Sequence, residues 1–527
     1  MLSTRELAFV EIQVTYRVSP LDVAGILCHR LKDGHEQLLI RWRTLPASQT
    51  PSQAICSWHD LYELTSCMHL IQKYLENRQS SSKPTLKRKR PSPEDGLRKS
   101  RDSKFGNGHP TSVNGRSDST NSRRSSSDAA SEKIETPGVY NGVLERREGR
   151  VVATQSKHMG VVKVDATSLP TPEMVEQARI SSTAQAERYI RLTFERKLKK
   201  LRWLRLENKV DSSAPSLDFS FITDYVTGKD VYRADPGSYE GCTEPCKSNM
   251  GSHIGCEWPR ECKCLEYAAV NEDLLRREDP QLFQEYQQAK QNGDYIDITN
   301  LPKRFPYHVS KVEGKPQTLV PFYREERYPI YECNVNCRCG PVCKSRVVQK
   351  GRRVPLTIFQ TANRGWGVYC DEDLIQGEFI DTYLGEIITN QEADRREQAG
   401  PKEKQSYLYS LDKFVDNVED LTHENCYVVD GQYIGGPTRF INHCCEPNCR
   451  QYTVSYDKNN PRIYDIAFFA VHNIPAGTEL TFDYQDKDEV EEDVAVRQRE
   501  AARRDPANAG KQPCNCGARK CRGFLWE

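Results

Sequence analysis

Residues 439–449 read RFINHCCEPNC, and three of these residues are cysteines. The end of the chain holds a second cysteine group with the spacing C-x-C-x4-C, which consists of Cys514, Cys516 and Cys521. Closed zinc sites take four ligands, so this terminal group is one thiol short. By spacing alone, the missing ligand is Cys444, Cys445 or Cys449. A zinc ion bound in this way ties the carboxy-terminal tail to the middle of the domain.

Nine further cysteines precede this stretch in two short runs. They are Cys242, Cys246, Cys256, Cys262, Cys264, Cys333, Cys337, Cys339 and Cys343. Nine thiolates supply the twelve bonds that three zinc ions need if three thiolates bridge, so the sequence predicts a trinuclear cluster. Two four-cysteine sites with one spare thiol are the alternative. Saturated thiolate coordination leaves no open position for water, so we expect the cluster to stabilise folding.

The composition indicates an intracellular protein without a membrane span. The chain starts MLSTRELAFVEIQV, with acids where a signal peptide is apolar, and no apolar run is long enough to cross a bilayer. In a reducing compartment, clustered thiols are more often metal ligands than disulfides. The 75 Lys and Arg residues nearly balance 74 Asp and Glu residues, so any basic surface that contacts nucleic acid is local.

A length of 527 residues predicts several domains, and a mean hydropathy of -0.74 predicts that unfolded stretches separate them. Residues 78–168 are basic and serine-rich with few apolar residues, which predicts a disordered linker. Within it, Lys87–Arg90 is typical of a nuclear import signal or a nonspecific nucleic-acid contact. A solvated charge run is the alternative.

Four more motifs follow the cysteine runs in order. They are Arg364–Gly367 (RGWG), Tyr383–Glu386 (YLGE), Arg439–His443 (RFINH) and Glu479–Tyr484 (ELTFDY). With the terminal cysteines, this series closely resembles the SET-domain lysine methyltransferases over about residues 219–527. The nine-cysteine pre-SET and three-cysteine post-SET segments resemble the suppressor-of-variegation and fungal cryptic-loci-regulator type, which acts on lysine 9 of histone H3. The resemblance implies a mainly β SET fold braced by zinc in both flanking segments.

The resemblance also implies the residues of the site. The pocket for S-adenosylmethionine would be formed by Arg364, Gly365, Trp366, Gly367, Tyr407, Arg439, Asn442, His443 and Trp526, the last also closing the lysine channel. Tyr484 resembles the catalytic tyrosine, with Phe482 and Tyr407 beside it, and Phe482 at the switch position implies di- and trimethylation. Three zinc ions belong to the pre-SET cluster and one to the post-SET site, where Cys445 is the implied fourth ligand.

Methyl transfer to an amine is an in-line displacement, so alignment and desolvation of the lysine nitrogen are the main requirements. By resemblance, the histone tail adds alongside a strand. Three acids could attract this basic tail, although solvation is the simpler role for each: Asp412, Asp416 and Glu419. Two features depart from the family pattern: the first pre-SET cysteines are spaced C-x3-C, and Cys444 adds a thiol beside Cys445.

The amino-terminal residues 8–77 resemble a small α+β chromodomain. The matching stretches are Leu38–Trp42 (LLIRW), Ser57–His59 (SWH) and a closing helix from about Leu64. Such domains hold methyl-lysine in an aromatic cage, for which only Trp42 has a clear match. Methyl-lysine binding and a purely structural module therefore both remain open.

The remaining segments complete the predicted organisation. Residues 169–218 contain the approach to the SET region, with one long amphipathic helix over 172–205. Pre-SET residues 219–350, SET residues 351–486 and post-SET residues 514–527 follow. The charged segment 487–513 is either a surface insertion or an autoregulatory loop in which Lys487 or Lys511 occupies the lysine channel.

We therefore expect a nuclear, chromatin-bound enzyme that methylates lysine 9 of histone H3 up to the trimethyl state, in heterochromatin formation and gene silencing. Its partners would be the histone H3 tail or nucleosome, with nonspecific nucleic-acid contact through the basic linker. The alternatives are a non-histone lysine methyltransferase and a catalytically silent chromatin scaffold. DNA binding through the cysteine groups is disfavoured because no histidine-containing finger with a recognition helix is present.

Overall fold

The structure is a computed structural model. It describes residues 18–43, 56–82, 139–140, 144–147, 150–153, 169–242, 256, 262–340, 343–399, 407–487, 492–505, 508 and 511–525. The chain divides into two compact units, unit 1 (Met1–Thr183) and unit 2 (Ala184–Glu527). In the part of the chain that the structure describes, no helix is long and apolar enough to span a membrane.

Unit 1 is a small sheet with two helices. Its elements are β1 (Val23–Lys32), β2 (His35–Trp42), β3 (Cys56–Asp60), α1 (Met68–Ser82), β4 (Val139–Tyr140), β5 (Leu144–Arg147), β6 (Arg150–Ala153) and α2 (Pro172–Ile180). The sheet order is β1-β2-β3-β4, and β5 and β6 form a separate hairpin. Asp33 and Gly34 join β1 to β2 with positive φ angles of 51° and 79°, as a tight Asp-Gly hairpin turn requires.

One hydrophobic cluster of unit 1 lies between this sheet and α2. Cys28, Leu39 and Cys56 from the sheet pack with Met174 and Ala178 from α2. The strand predicted around residues 37–42 and a helix near Leu64–Leu75 are both present, since β2 covers the first and a 3-10 turn leads into α1 for the second. This α+β arrangement is compatible with a chromodomain-like module but does not identify one.

The prediction of one helix over 172–205 is wrong. The chain forms α2, breaks at Ser181–Thr183, and continues as α3 (Ala184–Leu198) in unit 2. Three hydroxyl residues in a row favour a break because their side chains compete for backbone hydrogen bonds, and the Ser181 hydroxyl donates to Gln177 O at 2.7 Å.

Most of the predicted linker, 78–168, lies outside the described residues. The parts that are described form the end of α1 and the three short strands β4, β5 and β6. The sequence analysis did not predict these strands, since each spans only two to four residues.

Unit 2 is mainly β, as expected. Its helices are α3, α4 (Glu272–Glu278), α5 (Pro280–Asn292), α6 (Pro321–Glu326), α7 (Asn390–Ala399) and α8 (Glu492–Arg504). Its first strands are β7 (Leu204–Glu207), β8 (Ser220–Phe221), β9 (Val226–Thr227), β10 (Tyr307–His308), β11 (Thr318–Leu319), β12 (Ile330–Tyr331), β13 (Leu356–Gln360), β14 (Trp366–Cys370), β15 (Phe379–Thr382) and β16 (Glu386–Thr389). Its last strands are β17 (Leu408–Ser410), β18 (Tyr427–Asp430), β19 (Ile434–Gly435), β20 (Asn442–His443), β21 (Cys449–Ser455), β22 (Asp465–Ala470) and β23 (Thr481–Phe482).

These strands form several small sheets that meet around the candidate site. Their orders are β12-β21-β22-β15, β14-β13-β7, β17-β18-β16-β9, β19-β8 and β20-β23. Strands β20 and β23 pair in parallel, with Asn442 opposite Thr481 and His443 opposite Phe482. This pairing brings the RFINH and ELTFDY motifs side by side, although almost forty residues separate them in the chain.

Strand β22 separates two faces of the unit 2 core. Phe468 packs against Phe482 with ring centroids 4.8 Å apart, while its neighbour Phe469 packs against Phe379 at 5.4 Å. Successive side chains of a strand point to opposite faces, so Phe482 and Phe379 lie on opposite sides of this sheet.

Candidate active site

A cavity of about 440 Å³ lies where the sequence motifs of unit 2 meet. It is lined by Pro215, Ser216, Asn363, Arg364, Gly365, Trp366, Tyr407, Arg439, Phe440, Asn442, His443, Tyr484, Gln512, Pro513, Cys514, Asn515, Cys516 and Leu525. Seven of the nine residues predicted to bind the cofactor are among them. Gly367 is not among the lining residues, and Trp526 lies outside the described residues.

The turn between β13 and β14 shapes one wall of the cavity. Gly365 has a φ of 70°, a conformation that glycine adopts without strain. Thr361 closes the turn, since its hydroxyl donates to Gly365 O at 2.7 Å and accepts from Arg364 N at 2.9 Å. Gly367 has a different role, because a Cβ at this position would lie 2.9 Å from the Glu479 carboxylate.

Glu479 is a site residue that the sequence analysis missed. Its carboxylate forms an ion pair with Arg364 and accepts from Asn442 Nδ2 at 2.9 Å. Asn442 also donates to Trp366 O at 3.2 Å. The signal was present in the sequence, since Glu479 is the first residue of the ELTFDY motif, but only the β20–β23 pairing shows which residues it contacts.

His443 is buried, and its hydrogen bonds indicate the neutral form of the imidazole. Its Nδ1 accepts from Tyr484 N at 3.2 Å, so the proton lies on Nε2, which faces Cys445 Sγ at 3.2 Å. Burial lowers the pKa of His443, although the nearby Asp483 carboxylate opposes this shift.

Tyr484 is half-buried beside the cavity and is held by its hydroxyl, which donates to Ile441 O at 3.0 Å. Its ring lies 4.7 Å from that of Phe482 and 5.3 Å from that of His443. Burial raises the pKa of Tyr484 well above its usual value, and Tyr407 adds to the shift. The hydroxyl therefore remains protonated at neutral pH and is a hydrogen-bond donor.

Arg439 and Tyr407 form the adjoining wall. The Arg439 guanidinium lies 4.2 Å from the Tyr407 ring centroid and 4.4 Å from that of Phe219. Tyr383 donates its hydroxyl to Tyr407 O at 2.8 Å, which fixes the backbone there.

Four thiols meet at the edge of this cavity. The sulfur atoms of Cys445, Cys514, Cys516 and Cys521 all lie within 4.8 Å of one another. Cys445 and Cys514 are 3.9 Å apart, which fits the separation of about 3.8 Å in a tetrahedral zinc site with bonds of about 2.3 Å. The other two candidates lie outside this group: Cys449 donates to its neighbour Asn448 at 3.3 Å, and Cys444 donates to Glu446 O at 3.2 Å, although its thiol also interacts with Cys516.

The pre-SET thiols form three overlapping groups. They are Cys256, Cys333, Cys339 and Cys343, then Cys242, Cys262 and Cys264, and finally Cys264, Cys333 and Cys337. Within each group all sulfur atoms lie within 4.8 Å of one another, and Cys264 and Cys333 each belong to two groups. The ninth predicted ligand, Cys246, lies outside the described residues.

A buried ion pair joins the post-SET tail to the site. Arg522 donates from both terminal nitrogens to Asp483, at 2.6 and 2.7 Å. Burial opposes ionisation of Asp483, but these two hydrogen bonds hold its pKa below the usual value. Asp483 lies between Phe482 and Tyr484 in sequence, so the tail is anchored next to the catalytic candidates.

Comparison with known proteins agrees with this site. A sequence model of the SET domain matches residues 365–485, and a model of the Pre-SET motif matches residues 196–346. The H3 lysine-9 specific histone-lysine N-methyltransferase dim-5 of Neurospora crassa is 37% identical over 328 residues, covering 61% of this chain and 88% of that protein. The H3 lysine-9 specific enzyme of Schizosaccharomyces pombe is 32% identical over 372 residues, 69% of this chain and 64% of that protein.

Among solved structures, that of the Neurospora SET domain protein DIM-5, a histone lysine methyltransferase, shows 35% sequence identity. It covers 55% of this chain and 97% of that chain, with a TM-score of 0.42.

Proposed function

The chain belongs to the SET-domain histone-lysine N-methyltransferases, enzymes that use S-adenosylmethionine, and we propose that it methylates lysine 9 of histone H3. The observation that carries this proposal is the cavity that joins Arg364, Asn442 and Tyr484 to the four-thiol group. Because its relatives are specific for H3 lysine 9, we propose that it acts in heterochromatin formation and gene silencing, and therefore in the nucleus.

The cavity lining suits a cofactor with a charged amino-acid end and a heterocycle. Arg364 and Asn442 present polar groups held by Glu479, while Trp366, Tyr407 and Leu525 provide apolar surface. When bound, S-adenosylmethionine supplies an electrophilic methyl group. We assign its binding to Arg364, Gly365, Trp366, Tyr407, Arg439, Asn442 and His443, with Trp526 as a further candidate.

Tyr484 would act by holding the lysine nitrogen in line with the methyl group. Its hydroxyl is protonated at neutral pH and donates to Ile441 O. Towards the substrate, its oxygen would accept an N–H of the amine, which leaves the nitrogen lone pair directed at the methyl group. Buried aromatic rings around Tyr484 exclude water, which favours the neutral, nucleophilic amine.

The test of activity is mass spectrometry of a histone H3 tail peptide and its lysine 9 to alanine version, incubated with S-adenosylmethionine. Successive gains of about 14 Da on the native peptide alone support the proposal. Tyr484→Phe should reduce turnover at least about 100-fold, since it removes the positioning hydroxyl. The matched control is Tyr452→Phe, because Tyr452 is a buried tyrosine that also donates to a backbone carbonyl, Arg324 O at 3.1 Å, but lies outside the cavity. Equal losses in both variants contradict the role of Tyr484.

Phe482 would set the number of methyl groups. It is only 7% exposed and packs between Phe468 and Tyr484, and its side chain has no hydroxyl that could hydrogen-bond the amine or hold a water beside it. Methylated lysine can then rotate for further transfers, which supports a trimethyl product. Phe482→Tyr should shift the product towards monomethyl-lysine, and an unchanged product distribution in an active variant contradicts this role.

For zinc, we propose three ions in the pre-SET cluster and one in the post-SET site. The eight described pre-SET thiols fill ten ligand places, because Cys264 and Cys333 are shared between groups. A bridging Cys246 supplies the remaining two of the twelve places. The four-thiol group of Cys445 is complete for the fourth ion. Four zinc ions per chain by elemental analysis is the expected result.

The histone tail would add to strand β17. In the sheet β17-β18-β16-β9, β17 pairs on one side with β18 and forms an edge of the described sheet. An extended peptide can add to a sheet alongside an edge strand. Asp412 and Glu419 are exposed just beyond β17 and suit a basic tail, whereas the side chain of Asp416 is outside the description.

Autoregulation by the 487–513 segment stays a prediction. The described part of this segment packs against the rest of the unit, since α8 buries Ala495 and Arg499 lies against Gly523 of the post-SET tail. Deletion of residues 486–510 should raise peptide turnover if the segment restrains the site. Unchanged or lost turnover in a folded protein contradicts autoregulation.

The amino-terminal module would act as a chromodomain-like recruitment unit, a role that its α+β architecture permits. Trp42 is 7% exposed and lies edge-on to His59 at 5.5 Å, so a cage would require it to turn outwards. Binding of a trimethyl-lysine peptide that Trp42→Ala abolishes would support methyl-lysine recognition.

A further inference from the structure

A second cavity of about 350 Å³ lies in unit 2 and has no lining residue in common with the candidate active site. Four of its lining residues are cations, namely Lys315, Arg346, Lys350 and Arg353. None of the described residues that line it is acidic. Phe379 and Gln317 form part of the remaining wall, so the cavity is a basic recess with an apolar side.

Two of the four cations already have partners inside the protein. Lys315 forms an ion pair with buried Glu378 at 3.2 Å. Arg346 donates to Asn334 O at 2.6 Å and to Cys339 Sγ at 3.4 Å, so it offsets the charge of the thiol cluster. These two residues serve the fold.

The other two cations are not balanced in this way. Lys350 Nζ donates only to a backbone carbonyl, Cys343 O at 3.5 Å, and Arg353 is exposed. Within the described ranges, no carboxylate lies within ion-pair distance of either residue. The buried Glu332 carboxylate attracts Lys350 from beyond ion-pair distance, while Arg353 repels it. An anion in the recess would be attracted by both cations.

The recess also lies close to the reaction. Phe379, which lines it, packs on Phe469 of β22, and the neighbouring Phe468 packs on Phe482 from the other side. One sheet therefore separates the recess from the proposed lysine site, a distance on the order of 10 Å. A substrate as large as a nucleosome could therefore contact the recess while its histone tail occupies the lysine site on the other side of the sheet.

We propose that Lys350 and Arg353 bind phosphate groups of the nucleosomal DNA that accompanies the histone tail. This inference rests on the proposed function, because the DNA is wrapped around the histones that carry the tail. A net charge of +1 gives the whole protein no attraction to DNA, so local cations must provide it. Duplex DNA offers one charge per about 1.7 Å of its axis, which suits two adjacent cations.

The test compares two substrates and two matched variants of the full chain. Lys350→Ala/Arg353→Ala removes the recess cations, while Arg188→Ala/Lys229→Ala removes one arginine and one lysine that are exposed elsewhere in unit 2. With the H3 tail peptide, both variants should retain kcat/KM within about twofold. With nucleosomes, only the recess variant should raise KM, by about tenfold, with little change in kcat.

Salt dependence provides a second readout. The slope of log affinity for a 30-base-pair duplex against log salt should fall by about two in the recess variant, because two phosphate contacts are lost. Lys350→Arg/Arg353→Lys should keep the parental slope. The proposal is overturned if the recess variant matches the control on nucleosomes and in salt slope, or if it loses affinity for an acidic peptide but not for DNA. Because duplex binding needs no methyl transfer, a failure of the proposed function would leave this readout intact.

Discussion

The pre-SET cluster and the post-SET four-thiol group use the same ligand but are built differently. All eight described pre-SET thiols come from residues 242–343, and seven of them are buried. The post-SET group combines Cys445 with thiols from the last residues of the chain, and two of its members line the candidate active-site cavity. A metal cluster closed on itself stabilises a domain, whereas one assembled across the chain at a cavity also couples metal binding to the reaction.

The surroundings of the two groups support this division. Next to Cys333, the buried carboxylate of Glu332 accepts from Val347 N, Val348 N and the Tyr307 hydroxyl, so the pre-SET cluster is continuous with the core. In the post-SET group, Cys445 instead faces His443 at the cavity.

The largest expected effect is therefore loss of the fold. Cys333→Ser removes a thiol shared by two groups, and we expect it to lower the zinc content by at least one ion and the melting temperature of unit 2 by more than about 10 °C. Elemental analysis and calorimetry measure both. Cys426→Ser is the control, since Cys426 is buried but its thiol only donates to His423 O. If Cys333→Ser kept its zinc and its melting temperature, the pre-SET cluster would not have the stabilising role that distinguishes it from the post-SET group.

The second prediction concerns activity without unfolding. Cys516→Ser should lose the single post-SET zinc and reduce kcat/KM for the peptide about 100-fold, because the tail no longer closes the cavity. Melting of unit 2 should change by only a few degrees. Its neighbour Cys444→Ser, outside the four-thiol group, should stay within about threefold of the parent. A melting loss as large as that of Cys333→Ser would contradict the proposed difference.

The third prediction separates docking of the tail from metal binding. Arg522→Gln removes the buried ion pair with Asp483 but no thiol, so zinc content should stay unchanged. We expect KM for S-adenosylmethionine to rise about five- to tenfold with little change in kcat. Arg497→Gln is the control, because Arg497 pairs with Asp493 on the exposed surface of α8, where such pairs contribute little. An unchanged KM in Arg522→Gln would mean that the zinc site alone positions the tail and that the ion pair with Asp483 does not contribute.

Sequence reasoning reached the parts of this molecule whose chemistry is carried by residue type and spacing. Nine cysteines and the terminal C-x-C-x4-C group predict metal sites because thiols cluster for few other reasons in a reducing compartment. Seven predicted cofactor residues meet in one cavity because the motifs containing them fall on paired strands and turns.

The sequence could not show features that depend on distant pairing. Glu479 gains its role only when β23 lies beside β20 and the carboxylate reaches Arg364 and Asn442. The break at Ser181–Thr183 was missed because helical spacing of apolar residues continues on both sides of it. The basic recess joins residues from three segments whose charges are unremarkable in sequence.

The smallest expected effect is a change in how stability depends on pH. Asp465 is connected to the pre-SET cluster through Tyr456. It accepts from the Tyr456 hydroxyl at 2.6 Å, and the backbone oxygen of Tyr456 accepts from Asn334, which is next to Cys333 in sequence. Burial raises the pKa of Asp465 to about 7; the hydrogen bond from Tyr456 opposes the shift, and Glu332 adds to it. In the unfolded chain, the pKa of an aspartate is about 3.9.

Because the folded state binds this proton more tightly, Asp465 contributes stability at low pH that is lost as the pH rises from about 4 to about 7. Asp465→Asn keeps an acceptor for Tyr456 but does not ionise, so between pH 5.5 and 8 its free energy of unfolding should fall by about 2 kcal/mol less than that of the parent. Denaturant unfolding at both pH values measures this, with the exposed Asp218→Asn as the control. Peptide turnover should be unchanged, since the pre-SET side carries stability rather than the reaction. Parallel pH profiles of parent and Asp465→Asn would show that Asp465 is ionised in the folded state throughout this range.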